Sequence, residues 1–229
     1  MKIPESFSFL VQDIRQETNG ARCYVFDYGL TPFEFYAGQF SVVTLPGSNP
    51  ACTAAITLAS SPLRRGAFEF VVVRTGNFGS RFYDSTKVGD LISMKPPQGK
   101  FQLEINDPRP VVCLAYDYCT TGFRAFWQYH QDVVMRKELV LIHPHRDRNN
   151  ALFRADFETS TSPNRKYYPI EITSTTDIQT IISTLSFILN TLSDPLVYIA
   201  GEKYDVQSLT EDTQKCNILT TQIRTERWS

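Results

Sequence analysis

The spacing of apolar residues changes about a hundred positions into the chain. Before that point, short apolar runs alternate with turn-forming pairs. The runs cover residues 22–26, 40–45, 68–74 and 91–94, and the pairs are Asn19-Gly20, Pro46-Gly47, Gly89-Asp90 and Pro96-Pro97. Short strands at this spacing predict an antiparallel β-barrel. One helix is predicted within it, beginning near Ser80 with the Ser80 hydroxyl as its cap.

From Pro108 onward, apolar runs alternate with helical stretches. The runs cover residues 111–115, 139–142, 170–173 and 196–200, with a last one near 222–224. Between residues 177 and 192 the apolar positions recur every three or four residues, which predicts one helix face. Strands alternating with helices predict a parallel sheet. The prolines of segment 106–110 can continue neither a helix nor the hydrogen bonds of a strand, so this segment is the expected hinge between domains. We therefore expect domains at 1–105 and 106–229.

Composition narrows the class of protein. The 229 residues are 42% hydrophobic and 21% charged, which fits two modest globular domains. The net charge of -1 is spread along the chain, so neither nucleic acid nor an anionic membrane is an expected partner. The sequence contains neither a signal-peptide pattern nor the roughly 18 apolar residues of a membrane span, and we therefore predict a cytoplasmic protein.

The residues that commonly bind metals are few and scattered. The five cysteines have no C-x-x-C spacing, so no disulfide framework, zinc site or iron-sulfur site is predicted. His143 and His145 lie close together, but no carboxylate or thiolate stands at metal spacing, and we interpret them as a loop pair.

Five segments of the first half follow one another in an informative order. They are Phe35-Tyr-Ala-Gly-Gln-Phe40, Ile56-Thr-Leu-Ala-Ser-Ser-Pro62, residues 70–74 with Gly76 and Gly79-Ser80, Gly89-Asp90, and Pro97-Gln-Gly-Lys-Phe101. Together they resemble the flavin half of the ferredoxin-NADP reductase superfamily.

The second half continues the same resemblance. Its matching segments are residues 111–115 followed by Thr121, Phe123, Arg124 and Phe126, then 141–146, 152–157, 197–201 and 223–228. The resemblance implies a six-stranded antiparallel flavin-type barrel followed by a nucleotide-type α/β domain with a parallel sheet.

By this resemblance, FAD would be held in the first half. The implied residues are Thr57, Leu58, Ala59, Ser60, Val73, Arg74, Gly79 and Ser80. Thr57 keeps the hydroxyl that faces flavin N5 in the family, and Gly79-Ser80 matches the turn that holds the FAD pyrophosphate on a helix N-terminus.

Two departures in this half weaken the expected FAD binding. Ala54 stands in place of an arginine, and Ile56 in place of the aromatic residue that stacks on the flavin. An arginine-phosphate bond contributes about 1.5–3 kcal/mol, and ring stacking about 1–3 kcal/mol. Arg74 or Arg81 could supply the missing charge. The alternative is that these residues only shape the turns of a barrel.

The nicotinamide side departs further. Residues 116–119, Tyr-Asp-Tyr-Cys, replace the family's Gly-Gly-Thr-Gly, whose amides approach a pyrophosphate closely. Thr121, Arg146 and Trp228 keep family positions. Arg146 and Arg148 would bind a ribose 2′-phosphate or remain solvated. Trp228 would cover a flavin face or fill a vacated site. We therefore do not expect ordinary NAD(P)H binding.

Two functions remain open. The first is a flavin-dependent oxidoreductase or electron-transfer protein with FAD as cofactor, atypical nicotinamide binding and a protein partner for electron transfer. The second is a catalytically inactive reductase-like scaffold or protein-interaction module that has lost its cofactors. No catalytic residue is assigned.

Overall fold

The computed structural model describes residues 5–29, 31–159, 162–173 and 176–228. Two compact units are present. The first contains the chain up to Leu103 together with Arg124–Asp132, and the second contains Glu104–Phe123 and the chain from Val133 onward. Within the described ranges, no helix is long and apolar enough to cross a membrane.

The first unit is built on a six-stranded antiparallel sheet. Its strands are β1 (Phe7–Thr18), β2 (Ala21–Asp27), β3 (Phe40–Thr44), β4 (Thr53–Thr57), β5 (Ala67–Val73) and β6 (Leu91–Met94), in the order β4-β3-β6-β1-β2-β5. A bridge between Leu58 and Phe70 joins the two outer strands, so the sheet curls towards closure. Alternate residues of each strand face one aromatic core, which includes Phe9, Phe26 and Phe68.

One helix of the first unit begins earlier than the sequence predicted. Helix α1 runs Gly76–Ser85 with Thr75 at its N-cap, so Ser80 lies inside the helix and the prediction that Ser80 caps it was wrong. Gly76 has φ of +61°, a conformation in which glycine is not penalised. This glycine lets the chain turn directly from β5 into the helix.

The second unit is a five-stranded parallel sheet. Its strands are β7 (Val111–Ala115), β8 (Leu139–His145), β9 (Arg165–Glu171), β10 (Leu196–Glu202) and β11 (Ile223–Trp228), in the order β11-β10-β7-β8-β9. The helices are α2 (Thr121–Asp132), α3 (Arg154–Glu158), α4 (Thr176–Thr191) and α5 (Lys203–Lys215). From Arg124 onward, α2 belongs to the first unit.

The third strand of this sheet was predicted too late in the sequence. The apolar run indicated residues 170–173, but β9 covers Arg165–Glu171. It is an edge strand, and several of its side chains are polar and partly exposed, so it lacks the continuous apolar run of the central strands. The predicted fold class is otherwise confirmed: an antiparallel six-stranded barrel domain precedes a parallel α/β domain.

Candidate functional site

The segment implied to face a flavin lies beside β5. Thr57 ends β4 half-buried, and its hydroxyl makes no hydrogen bond within the described ranges of the chain. The next residues are buried and use their amides within the barrel: Leu58 N–H donates to the Gln39 carbonyl (2.9 Å) and Ala59 N–H to the Glu69 carbonyl (2.7 Å). Ser60 is also buried. The Thr57 hydroxyl is therefore available to a ligand.

The second implied group gathers at the C-terminal end of β5. Val73, Arg74, Gly79 and Ser80 all lie where this strand passes into α1. A Cβ on Gly79 would stand 2.3 Å from the Val73 carbonyl oxygen, so the close approach of helix and strand requires glycine. Ser80 is half-buried in the first turns of the helix.

The N-terminus of α1 is open. The Thr75 side chain makes no capping hydrogen bond, and the first turn contains no acidic residue. The first amides of a helix have no acceptor within the helix and favour an anion. Because α1 follows a strand directly, this end presents donors in the manner of a phosphate-binding turn.

The arginines considered as phosphate ligands are placed differently. Arg74 makes a 3.0 Å ion pair with Asp84, and both side chains are about half exposed. The backbone N–H of Arg74 donates to the Gly20 carbonyl. Arg81 is exposed on α1. Ile56, in place of the stacking aromatic residue, packs partly against the barrel core.

A buried carboxylate that the sequence analysis missed holds the outer face of the barrel together. The fully buried Glu69 of β5 contacts three guanidinium groups: Arg15 at 2.5 Å and Arg64 through one carboxylate oxygen, and Arg124 through the other. Arg124 is itself nearly fully buried. A single glutamate within the apolar strand Phe68-Glu-Phe-Val was the signal in the sequence.

The arginines control the ionisation of this carboxyl. Burial on its own would raise the pKa of Glu69, but Arg124, Arg64 and Arg15 together hold the pKa below its usual value. For nearby Cys23, burial and the charge of Glu69 outweigh the effect of Arg124 and Arg15 and raise the pKa of the thiol to about 12. Glu69 is therefore an anion, and Cys23 a neutral thiol.

In the second unit, the carboxylate of Asp117 joins the loop after β7 to Arg146, the residue that follows β8. Asp117 has φ of +43°, which non-glycine residues rarely adopt. Its carboxylate accepts from the Arg146 backbone N–H (2.9 Å) and from Arg146 Nη1 (2.6 Å). Thr121, at the start of α2, donates through its hydroxyl to the Tyr118 carbonyl (3.3 Å). Asp117 and Thr121 therefore have partners within the second unit, whereas the buried Thr120 hydroxyl has none among the described residues.

A buried histidine supports this loop from β8. The distance from His143 Nε2 to the Asp117 carbonyl oxygen is 2.9 Å, and that from Nδ1 to the Tyr167 hydroxyl is 3.0 Å. Because a carbonyl only accepts, Nε2 must carry the proton and Nδ1 accepts from Tyr167. Burial lowers the pKa of His143 to about 3, so the ring is neutral. The predicted loop pair is wrong for His143 and His145, which both lie buried in β8.

A pocket of about 240 Å³ opens beside the same loop. Its walls include Tyr116, Arg146, Asp205 and Asp212, together with isoleucines of α4. Burial raises the pKa of Asp205, and neighbouring Glu202 and Asp117 add to the increase while Arg146 opposes it. This pocket lies at the carboxyl ends of the strands, where the chain order reverses between β7 and β10, the usual ligand position in such sheets.

The last implied residue lies at the edge of the sheet. Trp228 ends β11, in register with Glu202 of β10, and is half-buried. Thus the second unit brings Arg146 next to Tyr116 and Asp117, with Thr121 at the end of the same loop. Trp228 is at the end of an edge strand.

Comparison with known proteins agrees with this architecture. Residues 9–103 match the oxidoreductase FAD-binding domain family. No curated protein matches the chain by sequence. The FAD/NAD-binding domain of a nitric oxide dioxygenase from Vibrio cholerae is similar in structure, at a TM-score of 0.77 and 13% identity over 96% of this chain and 98% of that one.

Two further solved structures are similar at low identity. A ferredoxin NADP+ reductase from Neisseria gonorrhoeae with bound FAD and NADP has a TM-score of 0.78 at 14% identity, over 98% of this chain and 99% of that one. Phthalate dioxygenase reductase has a TM-score of 0.82 at 15% identity, over 97% of this chain and 68% of that one. Residues 9–103 therefore match an oxidoreductase FAD-binding domain, and the chain as a whole has the ferredoxin-NADP reductase-like fold.

Proposed function

We propose that this protein binds FAD in its first unit and acts as a flavin-dependent electron-transfer protein, with weakened binding of nicotinamide dinucleotides. The observation that carries the proposal is the family match over residues 9–103 together with the uncapped N-terminus of α1. The open amides fit a pyrophosphate, and the Thr57 hydroxyl, which pairs with no described residue, fits a flavin ring edge. The redox chemistry would belong to the flavin, and the protein would bind and orient it.

The closed loop of the second unit supports the second part of the proposal. Tyr116 and Tyr118 place rings where the family has glycines, and Asp117 adds a carboxylate. Arg146, the candidate for a 2′-phosphate, is already paired with Asp117. A dinucleotide would have to break this pair and approach an acidic neighbourhood that includes Asp205.

A partner protein is the corresponding source or acceptor of electrons. Phthalate dioxygenase reductase is described as modular, for electron transfer from pyridine nucleotides to a [2Fe-2S] centre. We propose that this chain likewise exchanges electrons with a separate carrier protein.

A titration tests flavin binding directly. When FAD is added to the purified protein, its fluorescence should decrease until the sites are saturated. The bound flavin should absorb at about 450 nm. Riboflavin, which lacks the pyrophosphate, should bind at least about tenfold more weakly if α1 holds the phosphates. The replacement Thr57→Val should weaken FAD binding by about twofold to tenfold, because one hydrogen bond is lost. Thr53→Val, at an exposed position of the same strand, is the control.

The second candidate function is the cofactor-free scaffold. It is favoured by Ile56, which packs against the barrel core, and by Arg74, which pairs with Asp84. A folded protein that neither contains nor takes up FAD would contradict flavin binding and leave the scaffold.

A further inference from the structure

Helix α2 reaches the flavin-type segment with two side chains. Arg124 Nη1 donates to the Ala59 carbonyl (3.3 Å), and Gln128 Oε1 accepts from the backbone N–H of Ser61 (3.1 Å). The two residues are four positions apart and therefore share one face of the helix. All four residues belong to the first unit.

Glu69 links the remaining residue of the segment to the same network. Its backbone N–H donates to Ser60 Oγ (3.0 Å), and its carbonyl accepts from Ala59 N–H (2.7 Å). Its carboxylate contacts Arg124. Residues 59, 60 and 61 are buried, and each is held by at least one of these hydrogen bonds.

We propose that Arg124 and Gln128 are positioning residues for the flavin, acting through the backbone of residues 59–61. This inference rests on the proposed flavin binding. Thr57 and Leu58 directly precede residues 59–61. The direction of the Thr57 hydroxyl therefore depends on where the hydrogen bonds hold residues 59–61. Neither Arg124 nor Gln128 has to contact the cofactor.

The geometry makes Gln128 the better residue to vary. Arg124 also neutralises Glu69, so its removal would leave a buried charge without its main partner. Gln128 contributes a single acceptor to a single amide. Gln128→Met keeps the length of the side chain but has no oxygen acceptor, whereas Gln128→Glu keeps an oxygen that accepts.

The experiment measures three quantities on the full chain. They are the dissociation constant of FAD, the absorption spectrum of the bound flavin, and hydrogen exchange of the peptide that contains Ser61 in protein free of FAD. Gln128→Met should raise the dissociation constant about threefold to tenfold, shift the flavin spectrum and speed exchange at Ser61. Gln128→Glu should restore all three, and Asp132→Asn, exposed on the same helix, should change none.

The outcomes separate this inference from the function on which it rests. Faster exchange at Ser61 with unchanged FAD binding and spectrum in Gln128→Met would overturn the positioning role. Unchanged hydrogen exchange at Ser61 would show that Gln128 does not hold residues 59–61 in place. The unaltered protein could fail to bind FAD while hydrogen exchange at Ser61 still depends on Gln128. That result would refute flavin binding and the positioning role, and Gln128 would only hold the backbone of Ser61. A loss of thermal stability in Gln128→Met as large as that of a core replacement would also count against positioning.

Discussion

The two units differ in what they do with the polar groups at their nucleotide-type turns. In the first, the turn from β5 into α1 leaves helix amides uncapped and free of acidic neighbours in the first turn. In the second, the turn after β7 pairs Asp117 with Arg146 and, through its carbonyl, with His143. One turn is open to an anion, and the other has internal partners.

In the second turn, a residue other than glycine occupies the position with positive φ. Asp117 adopts φ of +43°, which a glycine would adopt without strain. A non-glycine residue in this region costs of order 1–3 kcal/mol, which its hydrogen bonds to Arg146 and His143 offset. Such hydrogen bonds allow an aspartate to hold a turn that glycine would form without strain.

We expect the greatest loss of stability from a substitution at Glu69 in the first unit. Glu69→Gln leaves three guanidinium groups around a neutral amide, and we expect the free energy of unfolding to fall by about 3–5 kcal/mol. Denaturant unfolding measures the loss. Asp84→Asn removes the partner of exposed Arg74 and should cost no more than about 1 kcal/mol. Equal small losses in the two variants would contradict the central role of Glu69.

The next effect concerns pH and the second unit. Burial lowers the pKa of His143 to about 3, whereas an unfolded histidine titrates near 6.5. Below pH 6.5 the unfolded chain binds a proton that the folded protein rejects, so stability falls as pH falls, by up to about 1.4 kcal/mol per pH unit. We expect this slope between about pH 6 and 4.5, above the range where carboxyl groups such as Glu69 add their own loss.

A variant isolates the histidine contribution. His143→Gln cannot titrate but can still donate to the Asp117 carbonyl, so its stability should change less between pH 6.5 and 4.5 than that of the unaltered protein. Denaturant unfolding across this window measures the difference. Parallel pH profiles for the two proteins would show that His143 does not destabilise the second unit in acid.

The sequence predicted well the features that depend on local pattern. The central strands β7 and β10 begin where continuous apolar runs begin, because strands buried on both faces need such runs. The start of α1 was missed because Gly76-Asn-Phe-Gly79 has the composition of a loop, although Gly79 is required by close contact with β5.

The site depended more on pairs that are distant in sequence. Glu69 meets Arg15 and Arg124 across more than fifty positions, and Asp117 meets Arg146 across 29. A single sequence marks such residues only as charges in unusual surroundings. The resemblance located the turn at residues 116–119, but the pairing of Asp117 with the candidate phosphate ligand required coordinates.

We expect the mildest change from a substitution at Asp117, in the turn after β7. Asparagine tolerates positive φ better than most residues, so Asp117→Asn should keep the loop while removing the charge that occupies Arg146. We expect stability to change by no more than about 1 kcal/mol, since Arg146 is largely exposed. The freed guanidinium should strengthen binding of 2′-phosphorylated NADPH several-fold, and of NADH less, measured by calorimetry. Arg146→Gln in the same background should abolish the difference. An equal gain in affinity for NADPH and NADH would mean that the Asp117 carboxylate repels both nucleotides by its charge. No gain in affinity for either would mean that the rings of Tyr116 and Tyr118 block binding.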